Sequence, residues 1–350
     1  MEIGSEFWEF EDELRNDNRE FWNFGKDTKF TLSGRTSIYY VLKNILKNKK
    51  VKKAYVPSYS CFSMSKPFLD LGIEVEYYDV YYNNGLKYNI EFREDIDIFL
   101  AMNYFGYSET NMNSYIKKFK NIGKIVIEDI THSICSSKKY SEYSDYLIGS
   151  LRKWFPIASG AIAVCMNSNF EIDLEKSTNE KMIDIKKVAM KNKKDYIEKN
   201  DNISKETFLN EYYESGKILD EDYQNYSIDV ESLKIIMGIN LEFIKKSRIE
   251  NSKIIYDKLK NNINIKFLID DYNERDGLLF VPIILEKEKR DVLRKYLIEN
   301  KIYLPVHWPQ EEKINNIFEN ELSLICDQRY DKSQIEEYID LVIDFLNKNY

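Results

Sequence analysis

Along the chain, short apolar runs alternate with stretches whose apolar residues recur every three or four positions. The runs suit buried strands and lie at Lys53 to Pro57, Val75 to Val80, Phe99 to Asn103, Lys124 to Glu128, Tyr146 to Ser150 and Ala161 to Met166. Helical spacing fills most intervals, most clearly at Ile38, Val41, Leu42, Ile45 and Leu46. This alternation predicts a mostly parallel sheet with helices on both faces. Residues 173–222 are charge-rich with a single glycine, Gly216, and predict helices forming a solvated layer over that sheet. From Ser227 to Leu259 the spacing of Ile228, Leu233, Ile236, Met237, Ile239, Leu241 and Ile244 predicts one long helix. It leads into a smaller α+β unit, with strands in GLLFVPIIL and IYLP and helices over Lys287 to Asn300 and Ser333 to Leu346. No repeat or low-complexity linker separates the two parts, which predicts tight coupling.

In sheets of this kind ligands bind beyond the carboxyl ends of the strands, so Asn103, Asp129 and Lys153 are expected to converge on one crevice. A lysine and a carboxylate so placed suit pyridoxal phosphate (PLP): the amine forms the Schiff base, and the carboxylate keeps the pyridine nitrogen protonated. Upstream, Ser33-Gly34 opens the first amphipathic helix. Such a start is either an ordinary N-cap or an anion site, in which the N–H groups of Gly34, Arg35 and Thr36 face the ligand.

Composition narrows the function classes. The 350 residues, 43% of them hydrophobic, suffice for two domains with substantial cores. With 51 Lys+Arg against 59 Asp+Glu the net charge is −8, which argues against nucleic acid as a partner. No apolar run approaches bilayer-spanning length, and the first residues, MEIGSEFWEFEDELRND, are acidic and aromatic, unlike a signal peptide. A soluble cytoplasmic protein that contacts no membrane is expected. Cys61, Cys135, Cys165 and Cys326 show no metal-binding or disulfide spacing. Patterns of metalloproteases, α/β-hydrolases and P-loop enzymes are absent.

Several segments together resemble the DegT/DnrJ/EryC1/StrS aminotransferases. SGRTSIYYVLK resembles that family's phosphate-binding helix start, and VPSYSCFSMSKPFLDLGIEVEYYDV its next strand, helix and strand. IEDITHS resembles the Glu-Asp segment, SLRKWFPIASGAIAV the lysine segment, and NYSIDVESLKIIMGINLEFIKKSRIEN the helix after the cofactor domain. IYLPVHWP and LICDQRY resemble late C-terminal landmarks. The resemblance implies the fold type I of PLP-dependent transferases: an N-terminal arm (1–30), a large α/β domain with a mostly parallel mixed sheet (31–225), then a connecting helix and small α+β domain (226–350).

The resemblance also implies roles. Lys153 would be the Schiff-base lysine, Asp129 the partner of the pyridinium nitrogen, and His132 a neighbour of the ring hydroxyl. Gly34, Arg35, Thr36 and Ser150 would surround the phosphate. Asn225 would either reach the phosphate of a neighbouring subunit or merely cap the following helix. His307, in VHWPQ, would lie at the substrate entrance or pack on Trp308. Arg35 and Arg152 are candidates for an acidic substrate or for the surface. Three departures stand out. The interval from Asp145 to Lys153 is short, Cys61 replaces the aromatic ring expected over the pyridine, with Phe62 as a possible substitute, and Gly160-Ala161 stands in place of Gly-Gly.

The implied reaction is transamination from a donor, by resemblance glutamate, to a nucleotide-linked keto sugar in amino-sugar or surface-glycan synthesis. A homodimer with shared sites would carry it out. A small phosphorylated ketone as acceptor, or a PLP-binding regulatory protein without turnover, are the alternatives.

Overall fold

One eight-stranded sheet brings the carboxyl ends of distant segments to a common edge. The computed structural model describes residues 2–9, 14–110, 112–175, 177–199, 203–308 and 317–349. In chain order after β1 (Ile3–Gly4), the sheet contains β2 (Asp27–Thr31), β3 (Lys53–Pro57), β4 (Glu74–Tyr82), β5 (Leu86–Asn89), β6 (Ile98–Met102), β7 (Ile125–Asp129), β8 (Tyr146–Ser150) and β9 (Ala161–Cys165). They lie side by side as β2-β9-β8-β7-β6-β3-β4-β5. The central strands β8, β7, β6, β3 and β4 are parallel, while β9 runs against β8 and β2, and β5 against β4. The central apolar runs appear as anticipated within one or two residues. The sequence pattern did not reveal β2 (DTKFT) or β5 (LKYN), because both are edge strands with little apolar content.

Helices α1 (Gly34–Asn48), α2 (Phe62–Asp70) and α3 (Asn113–Asn121) accompany the sheet, followed by α4 (Glu180–Ile197) and α5 (Lys205–Glu221). The layer expected to be solvated at 173–222 is in part buried. Met182, Ile183, Ala189 and Met190 of α4 are covered, and Lys186 and Lys193 are only 8% and 0% exposed. Both lysines receive the N-terminal segment: Lys186 pairs with Glu6 at 3.0 Å, and Lys193 donates to the Glu6 carbonyl.

The single long helix expected over Ser227 to Leu259 is instead two, α6 (Val230–Gly238) and α7 (Leu241–Leu259). Ile239 is extended, and the Asn240 side chain caps α7 by accepting from Phe243 N at 2.9 Å. Asn18 donates to the carbonyls of Ile236 and Ile239, and Asn16 N to that of Gly238. Donors from another part of the chain thus satisfy the end of α6, which local periodicity does not reveal.

Beyond α7, β10 (Lys266–Phe267), β11 (Val281–Ile284) and β13 (Glu321–Leu324) form an antiparallel sheet, with α8 (Lys287–Glu299) and α9 (Lys332–Asn349) packed nearby. β12 (Ile302–Tyr303) pairs in parallel with β1. The segment read as an arm therefore joins both parts of the molecule: β1 to the C-terminal unit, β2 to the large sheet. One continuous apolar core includes side chains from the sheet and the C-terminal unit. Among the described residues no helix is long and apolar enough to cross a membrane, and no His, Cys, Asp and Glu cluster could hold a metal.

Candidate active site

Since β7 and β8 are adjacent and parallel, Asp129 and Ser150 end at the same edge. Beyond Ser150 the chain makes a single helical turn, Leu151–Lys153, and Trp154 holds it in place. The Trp154 indole N–H donates to Thr131 O at 2.6 Å, Gln328 donates to Trp154 O at 2.8 Å, and the Arg248 guanidinium lies 4.4 Å from the Trp154 ring centre. Thr131 also accepts from Ser150 N, at 2.9 Å, through its hydroxyl. Return into β9 passes through Gly160 at φ +143, where a Cβ would meet Ile157 at 2.8 Å, so this position requires glycine whereas the following Ala161 does not.

Alternation along β7 sends its two acidic residues to opposite faces. Glu128 is buried on one side, accepting from Asn103, Ser141 N and Ser144. Asp129 faces the cavity that Lys153 also lines, and its Oδ1 accepts from Thr131 N at 2.7 Å. Burial raises the Asp129 carboxyl above its ordinary value, against the hydrogen bonds from Thr131 and the nearby Lys153 charge. A cation on its free side would relieve this cost.

His132 is buried on the same cavity, and its Nδ1 accepts from Phe105 N at 3.0 Å. The proton of the neutral ring therefore sits on Nε2, which faces Lys153 Nζ at 3.4 Å. An N–H at that position can only meet a lone pair, so the geometry favours the uncharged amine of Lys153. Desolvation in the cleft lowers the Lys153 ammonium below its ordinary value, opposed by Cys61 and Asp129, although the side chain itself is exposed. Burial likewise pushes His132 well below its ordinary value, reinforced by Lys153 and His307.

At the other end of the cavity the N-termini of α1 and α2 converge, lined by Gly34, Arg35, Cys61, Ser63 and Ser150. A Cβ on Gly34 would stand 3.2 Å from that of Ser150, so glycine permits this approach. Arg152 also lines the cavity, and its buried Nε has no hydrogen-bond partner among the described residues. Arg35 pairs with Asp220. Two helix N-termini and an unsatisfied guanidinium N–H together suit a phosphate. With the buried carboxylate and the amine opposite, the residues present fit PLP.

Not every anticipated residue meets here. Lys153, Asp129, His132, Gly34, Arg35, Cys61 and Ser150 line the cavity. Thr36 does not: its hydroxyl donates to Tyr223 O at 2.8 Å and its N–H to Ser33, so both serve the start of α1. Asn103 turns away, bonded to Glu128 and Met112 N. Asn225 is 5% exposed in a left-handed conformation (φ +60); its side-chain oxygen has no partner among the described residues, and it does not line the cavity. His307 lines a second cavity of about 450 Å³ that shares Arg152 and Lys153 with the first. Phe62 is 65% exposed on α2, unsuited to stacking within the cavity.

An aromatic ring that sequence reading did not assign to the cavity, Trp308, lines it. Its ring stacks at 22° to His132 with centroids 5.8 Å apart, and Lys153 Nζ lies 5.8 Å from its centre. Its place beside His307, one of only two histidines, was the available signal.

By sequence the chain matches no protein-family model and none of the curated proteins. By structure it is similar to the aminotransferase PseC of Helicobacter pylori, involved in pseudoaminic acid biosynthesis (TM-score 0.66, 12% identity, 99% of this chain and 100% of that one). It is similar to Spr1654 of Streptococcus pneumoniae in its PLP form (TM-score 0.66, 11% identity, 99% of both chains). The aminotransferase TlmJ of Streptoalloteichus hindustanus aligns over 94% of this chain and 88% of its own (TM-score 0.64, 11% identity). At such identities the likeness is one of fold: this chain has the fold of PLP-dependent aminotransferases.

Proposed function

We propose that the chain is a PLP-dependent aminotransferase acting in amino-sugar biosynthesis. The observation that carries this reading is the Lys153 amine on the same cavity as the buried Asp129, faced by an N–H of His132. Asp129 would hold the pyridine nitrogen, the starts of α1 and α2 with Ser150 and Arg152 the phosphate, and Lys153 the reactive carbon. The bound cofactor supplies an electron sink for cleavage at the α-carbon of the amine. Within the protein, Lys153 moves the proton and Asp129 holds positive charge in place. By resemblance the donor is glutamate and the acceptor a nucleotide-linked keto sugar, in a cytoplasmic homodimer with shared sites. PseC and Spr1654 support the class of reaction and the cofactor, respectively.

The deciding experiment offers PLP-loaded protein glutamate and a panel of keto acceptors. Amination of nucleotide-linked keto sugars is expected. Turnover of simple keto acids or small phosphorylated ketones alone overturns the acceptor; cofactor binding without turnover overturns the enzyme.

A further inference from the structure

Behind the wall of the second cavity, His307 begins a hydrogen-bonded chain that a substrate-entrance role does not require. His307 Nδ1 lies 3.0 Å from Ser323 Oγ, and Ser323 Oγ lies 2.5 Å from Glu321 Oε1. The second oxygen of Glu321 accepts from His307 N at 2.8 Å. Glu321 and Ser323 are fully buried, on the strand facing β11. A carboxylate only accepts, so the single Ser323 proton goes to Glu321 and Ser323 must accept from Nδ1–H. The neutral ring of His307 therefore carries its proton on Nδ1 and a lone pair on Nε2. This is the opposite tautomer to His132.

We propose that His307 Nε2 is the proton acceptor for the incoming amine, with Ser323 and Glu321 as positioning residues that hold its tautomer. The assignment rests on the aminotransferase reading. An amine enters as an ammonium and must lose a proton before its nitrogen can attack, and at that moment Lys153 is itself tied to the cofactor. Among the described residues, the other groups lining the cavity are poor acceptors. Glu6 is held at about 2, chiefly by Lys186. Asp327 is held below its ordinary value by Arg329 against the effect of burial. Arg152, Arg248, Arg294 and Arg329 have no lone pair to offer. In the step, Nε2 takes one proton from the ammonium, leaving a neutral amine and an imidazolium that faces the Glu321 carboxylate across 3.7 Å. The ring then gives the proton to water.

Nitrogen-15 NMR of the full-length, PLP-loaded chain tests the geometry without reference to turnover. We expect His307 protonated on Nδ1 and His132 on Nε2, and a His307 proton on Nε2 overturns the proposal. Rapid mixing with L-glutamate tests the chemistry. His307→Gln should keep the bound-cofactor spectrum and lose ~10²-fold in the first-order rate, with little change in the half-saturating glutamate concentration. Ser323→Ala should lose less, about 10-fold, and Ser323→Thr should recover it. If the wild-type chain holds PLP but reacts with no amine, the aminotransferase reading falls. If it reacts and His307→Gln reacts equally fast, only the His307 assignment falls.

Discussion

His132 presents an N–H to Lys153 across 3.4 Å because its other ring nitrogen is occupied by Phe105 N. A charged ammonium would set two donors against each other, so this contact favours the neutral amine, the same direction in which desolvation shifts Lys153. Lys153 in the cofactor-free protein should then react with a limiting amine reagent at pH 8 before surface lysines do, as read by peptide mapping. Lys193, lowered to about 7 mainly by burial, is 0% exposed and should stay unlabelled. In the loaded protein, borohydride should fix the cofactor to Lys153. Lys153→Ala should lose that attachment and at least ~10²–10⁴-fold in rate. Attachment to another lysine overturns the site.

Asp129→Asn separates stability from catalysis. Burial raises the carboxyl in the folded chain, so the stability it contributes is complete below its unfolded value of about 4 and is lost as pH rises to the folded one. Cofactor-free Asp129→Asn should therefore melt at or above wild type at pH 8, an advantage that shrinks toward pH 4. In the loaded enzyme an amide cannot hold the pyridine nitrogen protonated, and the rate should fall by ~10²–10³-fold, about 3–4 kcal/mol in barrier. Wild-type turnover removes Asp129 from the mechanism.

Trp308 packs on His132, Phe105 and Tyr59 and forms one wall of the site. Trp308→Ala should cost about 3–5 kcal/mol in denaturant unfolding and weaken PLP binding, with the aromatic replacement Trp308→Phe recovering most of both. Unchanged PLP affinity in Trp308→Ala would show that this ring does not support the cofactor.

Among the described residues the buried side-chain oxygen of Asn225 has no partner, and Asn225 does not line its own chain's cavity, which suits a role toward a second subunit. Co-folding Lys153→Ala with Asn225→Ala chains provides the measurement. If Asn225 serves the partner's site, each hybrid dimer has one doubly defective site and one intact site, and activity should rise above either pure variant, approaching half of wild type per hybrid dimer. If Asn225 acts only within its own chain, both sites carry a defect and no recovery appears.

Much of the site was legible because its residues sit at the ends of apolar runs. Asp129 and Ser150 close β7 and β8, Lys153 follows by one turn, and Gly34 opens α1 after a Ser33 cap. Each is a local pattern. Less legible were residues whose side chains could serve either the site or the fold. Thr36 lies on the matching helix start, yet its hydroxyl bonds Tyr223 O, 187 residues away. Asn103 ends its strand as expected but completes the network around Glu128. The break at Ile239 depends on Asn18, more than 200 residues upstream, because helix periodicity does not record which distant donors will take the terminal carbonyls.

Short apolar runs and helical spacing were enough to determine the central sheet and the shared edge at which a lysine and a carboxylate could meet, since both follow from burying apolar side chains of neighbours in the chain. The protonation pattern of the site was decided only by tertiary structure. Phe105 N–H sets the proton of His132, Ser323 and Glu321 set that of His307, and Trp308 closes the space between. Hydrogen bonds and ring contacts act over a few ångströms in space, whatever the distance along the chain, so which nitrogen carries a proton depends on the partners that folding brings to it.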